Sequence, residues 1–183
     1  MKKIPNLLSG YRLATLPLLV FLIYVGNQHL FAIFFCINLV TDILDGYIAR
    51  RFDAATPLGA RLDSLADLGS YIAALYAISQ FYWQDIAPFS VWFFAFLGVF
   101  VLSQLTSLIK FKTFPSLHLY SFKVSGYAQG IFLFILFIYQ FIPALFIVAM
   151  TFGIVACMEE TITLLYLKEM KSNVKSIFSL HRK

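Results

Sequence analysis

The sequence predicts an all-α fold: an integral membrane protein with six transmembrane helices and both termini cytoplasmic. Three observations carry this expectation. The 183 residues are 61% hydrophobic, 18% aromatic and only 13% charged, too apolar for a water-soluble domain of this length. Six stretches approach the ~20 largely apolar residues that span a bilayer, at residues 7–25, 30–51, 58–83, 88–109, 123–141 and 143–167. Lysines and arginines, finally, cluster at every second connection.

The elements follow in order. Lys2 and Lys3 precede the first segment and Arg12 lies within it. No convincing A-x-A site follows, so the segment is read as an uncleaved helix rather than a signal peptide. The turn at Gly26–His29 carries no Lys or Arg, whereas the second segment closes on Arg50 and Arg51. A turn centred near residue 54, around Asp53, Ala54 and Pro57, leads into the third segment. The next connection, Gln84–Pro88, again lacks Lys and Arg, and Tyr82, Trp83 and Trp92 beside it are expected interface anchors. Lys110, Lys112 and Lys123 bound an expected interfacial loop or short surface helix that still contains Phe111, Phe114, Leu117, Leu119, Tyr120 and Phe122. Gln140–Pro143 separates the last two segments, and Lys168, Lys171, Lys175, Arg182 and Lys183 fill the tail. That tail is either a basic surface helix inserting Ile177, Phe178 and Leu180 or a solvated end. The positive-inside rule puts both termini in the cytoplasm, and an even helix count agrees.

No linker or repeat interrupts the chain, so residues 1–183 are read as one domain in the cell (inner) membrane. The net charge of +5 reflects topology and anionic headgroups, with no nucleic-acid partner. Cys36 and Cys157 lie in apolar segments as free thiols.

Four aspartates stand out against this background. A carboxylate at helix-centre depth costs about 2.5–3.5 kcal/mol on insertion scales. Asp42, Asp45, Gly46 and Ala49 share one helix face, at i, i+3, i+4 and i+7; Gly59, Asp63 and Asp67 share another, at i, i+4 and i+8. In an antiparallel pair Asp45 is expected level with Asp63, and Asp42 level with Asp67. The result is a square of carboxylates open to the cytoplasm. Such a square suits two hard divalent cations, Mg²⁺ or Mn²⁺, which can clamp a phosphoryl group during displacement. Gly46, Ala49 and Gly59 leave bare surface for a flat ring or a diphosphate, and Arg50 can pair with a phosphate oxygen. Small-residue helix packing with an incidental polar seam would leave four acids in register unexplained. An ion or proton transporter would explain the acids but not Arg50 or the glycines.

The pattern D-x2-D-G-x2-A-R-x8-G-x3-D-x3-D over residues 42–67 resembles the signature of the CDP-alcohol phosphatidyltransferase family at every specified position. The resemblance implies transfer of a phosphatidyl group from CDP-diacylglycerol to a small alcohol acceptor with release of CMP, using two divalent metals. It implies that Asp42, Asp45, Asp63 and Asp67 bind metal and that Asp67 is the general base. It also implies that Gly46, Ala49, Arg50 and Gly59 hold the nucleotide, and that the protein is a homodimer.

The acceptor is less legible. Pro5-Asn6-Leu-Leu-Ser9-Gly-Tyr-Arg12 resembles the P-N-x-x-T/S-x-x-R start of phosphatidylglycerophosphate synthases, with Arg12 either a phosphate contact or an inner-leaflet anchor. Leu62–Ser70 looks more like phosphatidylserine synthases; a phosphatidylinositol-phosphate synthase is a further alternative. Arg61, Lys110, Lys112 and Lys123 are candidate acceptor-binding cations, which favours glycerol 3-phosphate. His118 is expected to hydrogen-bond within its loop. One of Glu159 and Glu160 is expected to form an ion pair with Arg12, Arg61 or Lys123, or to contact the acceptor. Ser121, Ser125 and Tyr127 are weaker pocket candidates.

Overall fold

A computed structural model of the chain describes residues 4–52, 56–113, 115, 117, 119–169, 174, 176 and 177, with backbone only at 4, 5, 49, 50, 57 and 60. The expected turn residues Asp53 and Ala54, together with Phe114, His118, Phe178 and Leu180, lie outside the described residues. Among those described, every regular element is helical: α1 (Ile4–Tyr24), α2 (Gln28–Arg51), α3 (Pro57–Ala77), α4 (Trp83–Ile86), α5 (Ser90–Phe111), α6 (Tyr120–Ile138) and α7 (Pro143–Tyr166).

Local chemistry sets the helix ends. Gly26 takes φ +73°, and the bonds Asn27 N–H to Leu22 O (2.9 Å) and Gly26 N–H to Ile23 O (3.0 Å) close α1 in a Schellman motif. Asn27 then caps α2 by accepting the Leu30 N–H at 3.1 Å. Thr56 caps α3 through the Gly59 N–H at 2.9 Å, with Pro57 at the first helical position, where its missing N–H costs nothing.

Five helical runs are long and apolar enough to cross a membrane. One of them, Arg61–Phe111, is 51 residues long because the expected break at Gln84–Pro88 is itself helical. A π-turn over Ile78–Tyr82, the short α4 and a 3₁₀ turn over Ala87–Phe89 carry the chain through it. Gln84 and Asp85 are polar but helix-compatible, and Pro88 sits early in its turn, where no backbone donor is needed. Side chains such as Ile109 (80% exposed) and Val91 (77%) leave an apolar surface that suits lipid rather than water.

The chain separates into two units, residues 1–84 with 134–140 and residues 85–133 with 141–183. In the first, α1 packs against both α2 and α3, while α2 and α3 touch each other little. The expected direct α2–α3 pair is thus mediated by a third helix. Two faces that each carry carboxylates repel, and α1 brings a cation to them. Phe31, Phe35 and Phe137 form the aromatic core, with centroids 4.9–5.4 Å apart. Tyr82, expected at the interface, is instead buried against Phe137 and accepts a hydrogen bond from Gln28 Nε2 at 2.6 Å.

In the second unit α5 packs on α7, and Phe132, Phe141 and Phe146 cluster near one end. The connection after α5 is not a surface feature throughout: Leu117 and Leu119 are buried with Leu164, Leu167 and Val174. The described part of the tail returns to α7, where Glu159 Oε1 accepts from Ser176 Oγ and Ile177 N–H, both at 3.1 Å. Cys36 and Cys157 are free and buried.

Candidate active site

The first unit gathers the acids. One carboxylate oxygen from each of Asp42, Asp63 and Asp67 lies within 4.8 Å of the others. Their faces meet because α2 places Asp42 and α3 places Asp63 and Asp67, one turn apart, towards α1. Asp45 does not join this trio. It is 5% exposed and accepts the Ser9 hydroxyl at 2.5 Å. Three of the four expected carboxylates therefore converge, and the fourth is held by α1.

Arg12 occupies the centre. Its Nη1 donates to Asp42 Oδ1 at 2.6 Å and Asp63 Oδ1 at 3.0 Å, and its Nη2 donates to Asp67 Oδ1. Only 3% of the Arg12 side chain is exposed, against 42–44% for the three carboxylates. Arg12 is therefore no inner-leaflet anchor. The polar seam continues inward: the Thr15 hydroxyl donates to the Arg12 carbonyl at 2.8 Å and accepts from Asn38 Nδ2 at 2.9 Å. Sequence reasoning missed Thr15 and Asn38. The available signal was spacing, since Asn38 precedes Asp42 by four residues and so shares its face.

The glycines divide. Gly46 is half-buried on α2, and only the backbones of Ala49 and Arg50 are described. Gly59 is buried, and a Cβ there would collide with Asn6 Oδ1 and come within 2.9 Å of Thr56 Oγ1. Since Thr56 also donates to Asn6 Oδ1 at 3.0 Å, Gly59 admits the start of α1 to the cap of α3. Asn6, Ser9 and Arg12, three residues apart on α1, thus contact α3, Asp45 and the trio in turn.

The remaining candidates form no hydrogen bond or ion pair with the trio among the described residues. Arg61 is exposed and, two residues before Asp63, falls on another face of α3. Lys110 Nζ donates to the Leu164 and Leu165 carbonyls at 3.0 and 2.7 Å, a cation capping the end of α7. Glu160 forms no ion pair among the described residues; it accepts from Ser103 Oγ at 2.6 Å. It lines a cavity of about 360 Å³ in the second unit with Gln104, Pro115, Leu117, Leu119, Phe122 and Lys123. Ser121, Ser125 and Tyr127 do not line it.

Lys112 caps α5 at φ +57°, a left-handed conformation that costs a non-glycine residue roughly 1–2 kcal/mol. Lys112→Gly should therefore leave the melting temperature unchanged or raise it. A rise in the acceptor KM of that folded variant would assign Lys112 a binding role; an unchanged KM would leave it only the cap.

The trio fits a divalent cation on its own chemistry. Hard oxygen donors converge, and a single guanidinium leaves negative charge in excess.

A family model described as CDP-alcohol phosphatidyltransferase matches residues 2–159. Among curated relatives, the CDP-diacylglycerol–glycerol-3-phosphate 3-phosphatidyltransferase of Rickettsia typhi is 37% identical over 70 residues, covering 37% of this chain and 39% of that protein. Proteins of the same name from Salmonella choleraesuis and Escherichia coli are 35% and 34% identical over 82 residues, covering 43% of this chain and 45% of each. The matched stretch thus spans less than half the length of these relatives. No solved structure matches. The family match takes in α1, with Ser9 and Arg12, and all four aspartates of α2 and α3. The chain belongs to the CDP-alcohol phosphatidyltransferase family.

Proposed function

We propose that the chain transfers the phosphatidyl group of CDP-diacylglycerol to glycerol 3-phosphate and releases CMP. The observation that carries this reading is the convergence of Asp42, Asp63 and Asp67 within a family match that spans them. The names of the curated relatives favour glycerol 3-phosphate over serine or inositol phosphate as acceptor.

Asp42, Asp45, Asp63 and Asp67 would hold two divalent ions, Mg²⁺ or Mn²⁺, which when bound supply neutralisation of the diphosphate and of the departing phosphate. Asp67 takes the proton of the acceptor hydroxyl as its oxygen bonds to the phosphorus nearest the diacylglycerol. The bond from that phosphorus to the bridging oxygen breaks, and CMP leaves with the electron pair. Gly46, Ala49, Arg50 and Gly59 hold the nucleotide, Gly59 through its backbone, since Asn6 fills the space a Cβ would take. Arg61, Lys112 and Lys123 are the acceptor candidates; Lys110 already has a capping role.

The 51-residue run Arg61–Phe111 holds enough residues for two spans of ~20 each, joined at Gln84–Pro88. On this reading the chain has six spans, cytoplasmic termini and a site open to the cytoplasm of the inner membrane. Residues 1–183 are read as one membrane domain that works as a homodimer.

The test is an acceptor panel on purified protein with CDP-diacylglycerol and Mg²⁺ or Mn²⁺. Mass spectrometry should find phosphatidylglycerophosphate and CMP with glycerol 3-phosphate. Product with serine alone would move the chain to the phosphatidylserine branch. No CMP with any acceptor, but acid-dependent ion flux in liposomes, would favour a transporter.

A further inference from the structure

Arg12 engages three carboxylates on two other helices, and its side chain is far more buried than theirs. Its Nε is buried without a hydrogen-bond partner, an arrangement that costs roughly 1–3 kcal/mol. The guanidinium sits where cation charge is required, yet with an unsatisfied donor.

Resting on the reading of the trio as a divalent-metal site, we infer that Arg12 is a positioning residue: an internal counter-ion that holds Asp42, Asp63 and Asp67 together and competes with the metal for them. Charge counting supports this. The trio and Asp45 together carry four negative charges when ionised, the equal of two divalent ions; Arg12, paired with three of them, already neutralises one unit. The geometry supports it too. Arg12 places both terminal nitrogens on Oδ1 of all three acids, so a metal drawing on those oxygens would meet a guanidinium already bonded there. Neighbouring contacts keep α1 in place when the guanidinium moves: Ser9 is bonded to Asp45, Thr15 to Asn38, and Asn6 to Thr56. Withdrawal is then a side-chain event.

The inference makes opposite demands on stability and affinity. Without metal, Arg12 offsets mutual repulsion of the acids, so its loss destabilises the chain. With metal, its loss removes a competitor, so binding tightens.

The experiment is Mn²⁺ titration of the full chain in detergent or nanodiscs, without nucleotide, read by electron paramagnetic resonance and by melting temperature. Arg12→Gln should lower the melting temperature in chelator and lower the Mn²⁺ dissociation constant by about tenfold or more, a 1.4 kcal/mol change. Arg12→Lys keeps the charge but loses the fork; it should show a smaller gain and serves if Arg12→Gln does not fold in chelator. Unchanged or weaker Mn²⁺ binding in the folded variants would overturn the inference while leaving the function intact. Failure of the unsubstituted chain to bind Mn²⁺ at all would instead remove the metal site on which both rest.

Discussion

Asp67→Asn should abolish CMP release while sparing nucleotide binding. General-base catalysis contributes about 10²–10⁴-fold, and the amide keeps the shape of the side chain while losing the basic oxygen. Turnover should therefore fall by roughly three orders of magnitude at saturating metal. CDP binding, measured by calorimetry, should change little. Asp42→Asn is the informative comparison. Asp42 pairs with the same guanidinium at 2.6 Å but has no proposed proton to accept, so its loss should raise the metal concentration required rather than set a ceiling on turnover. If Asp67→Asn turns over normally once metal is raised, Asp67 is a ligand and not the base.

The second large effect is structural. Leu16 of α1 lies against Gly69 of α3, and a Cβ at Gly69 would stand 3.1–3.2 Å from Leu16 Cδ2 and Cγ and closer still to Cδ1. Gly69→Val should therefore cost about 1–3 kcal/mol by overpacking. Because Leu16 follows Arg12 by one turn and Gly69 follows Asp67 by two residues, the same push separates the guanidinium from the trio. A lowered melting temperature and weakened turnover are expected together. Leu16→Ala in the Gly69→Val background should recover part of both, since neighbouring substitutions couple. No recovery would mean that the strain is carried elsewhere than in the α1–α3 contact.

Much of this protein was legible in its residues, for identifiable reasons. Apolar runs of bilayer length have few alternatives to helix, because lipid offers the backbone no hydrogen-bond partners. The expected helix ends agree with α1, α2, α5, α6 and α7 to within three residues. The phase of Asp42, Asp63 and Asp67 follows from 3.6-residue periodicity alone, so their convergence was open to inference. The helical bridge through Gln84–Pro88 was not, since polar turn signals and a helix-tolerant sequence coincide there. Nor was the burial of Leu117 and Leu119, because a short polar stretch does not reveal what its apolar residues will meet.

By itself, then, the sequence determined the helical class, the acid-bearing faces and the family to which they belong, all consequences of local spacing. Only the tertiary structure decided which helix lies between those faces, that Arg12 reaches three carboxylates at once, that Asp45 turns to Ser9 and that Gly59 receives Asn6. These depend on contacts between residues 30 to 55 positions apart. Acids buried or half-buried on α2 and α3 require donors, but periodicity within one helix carries no information about which partner meets them.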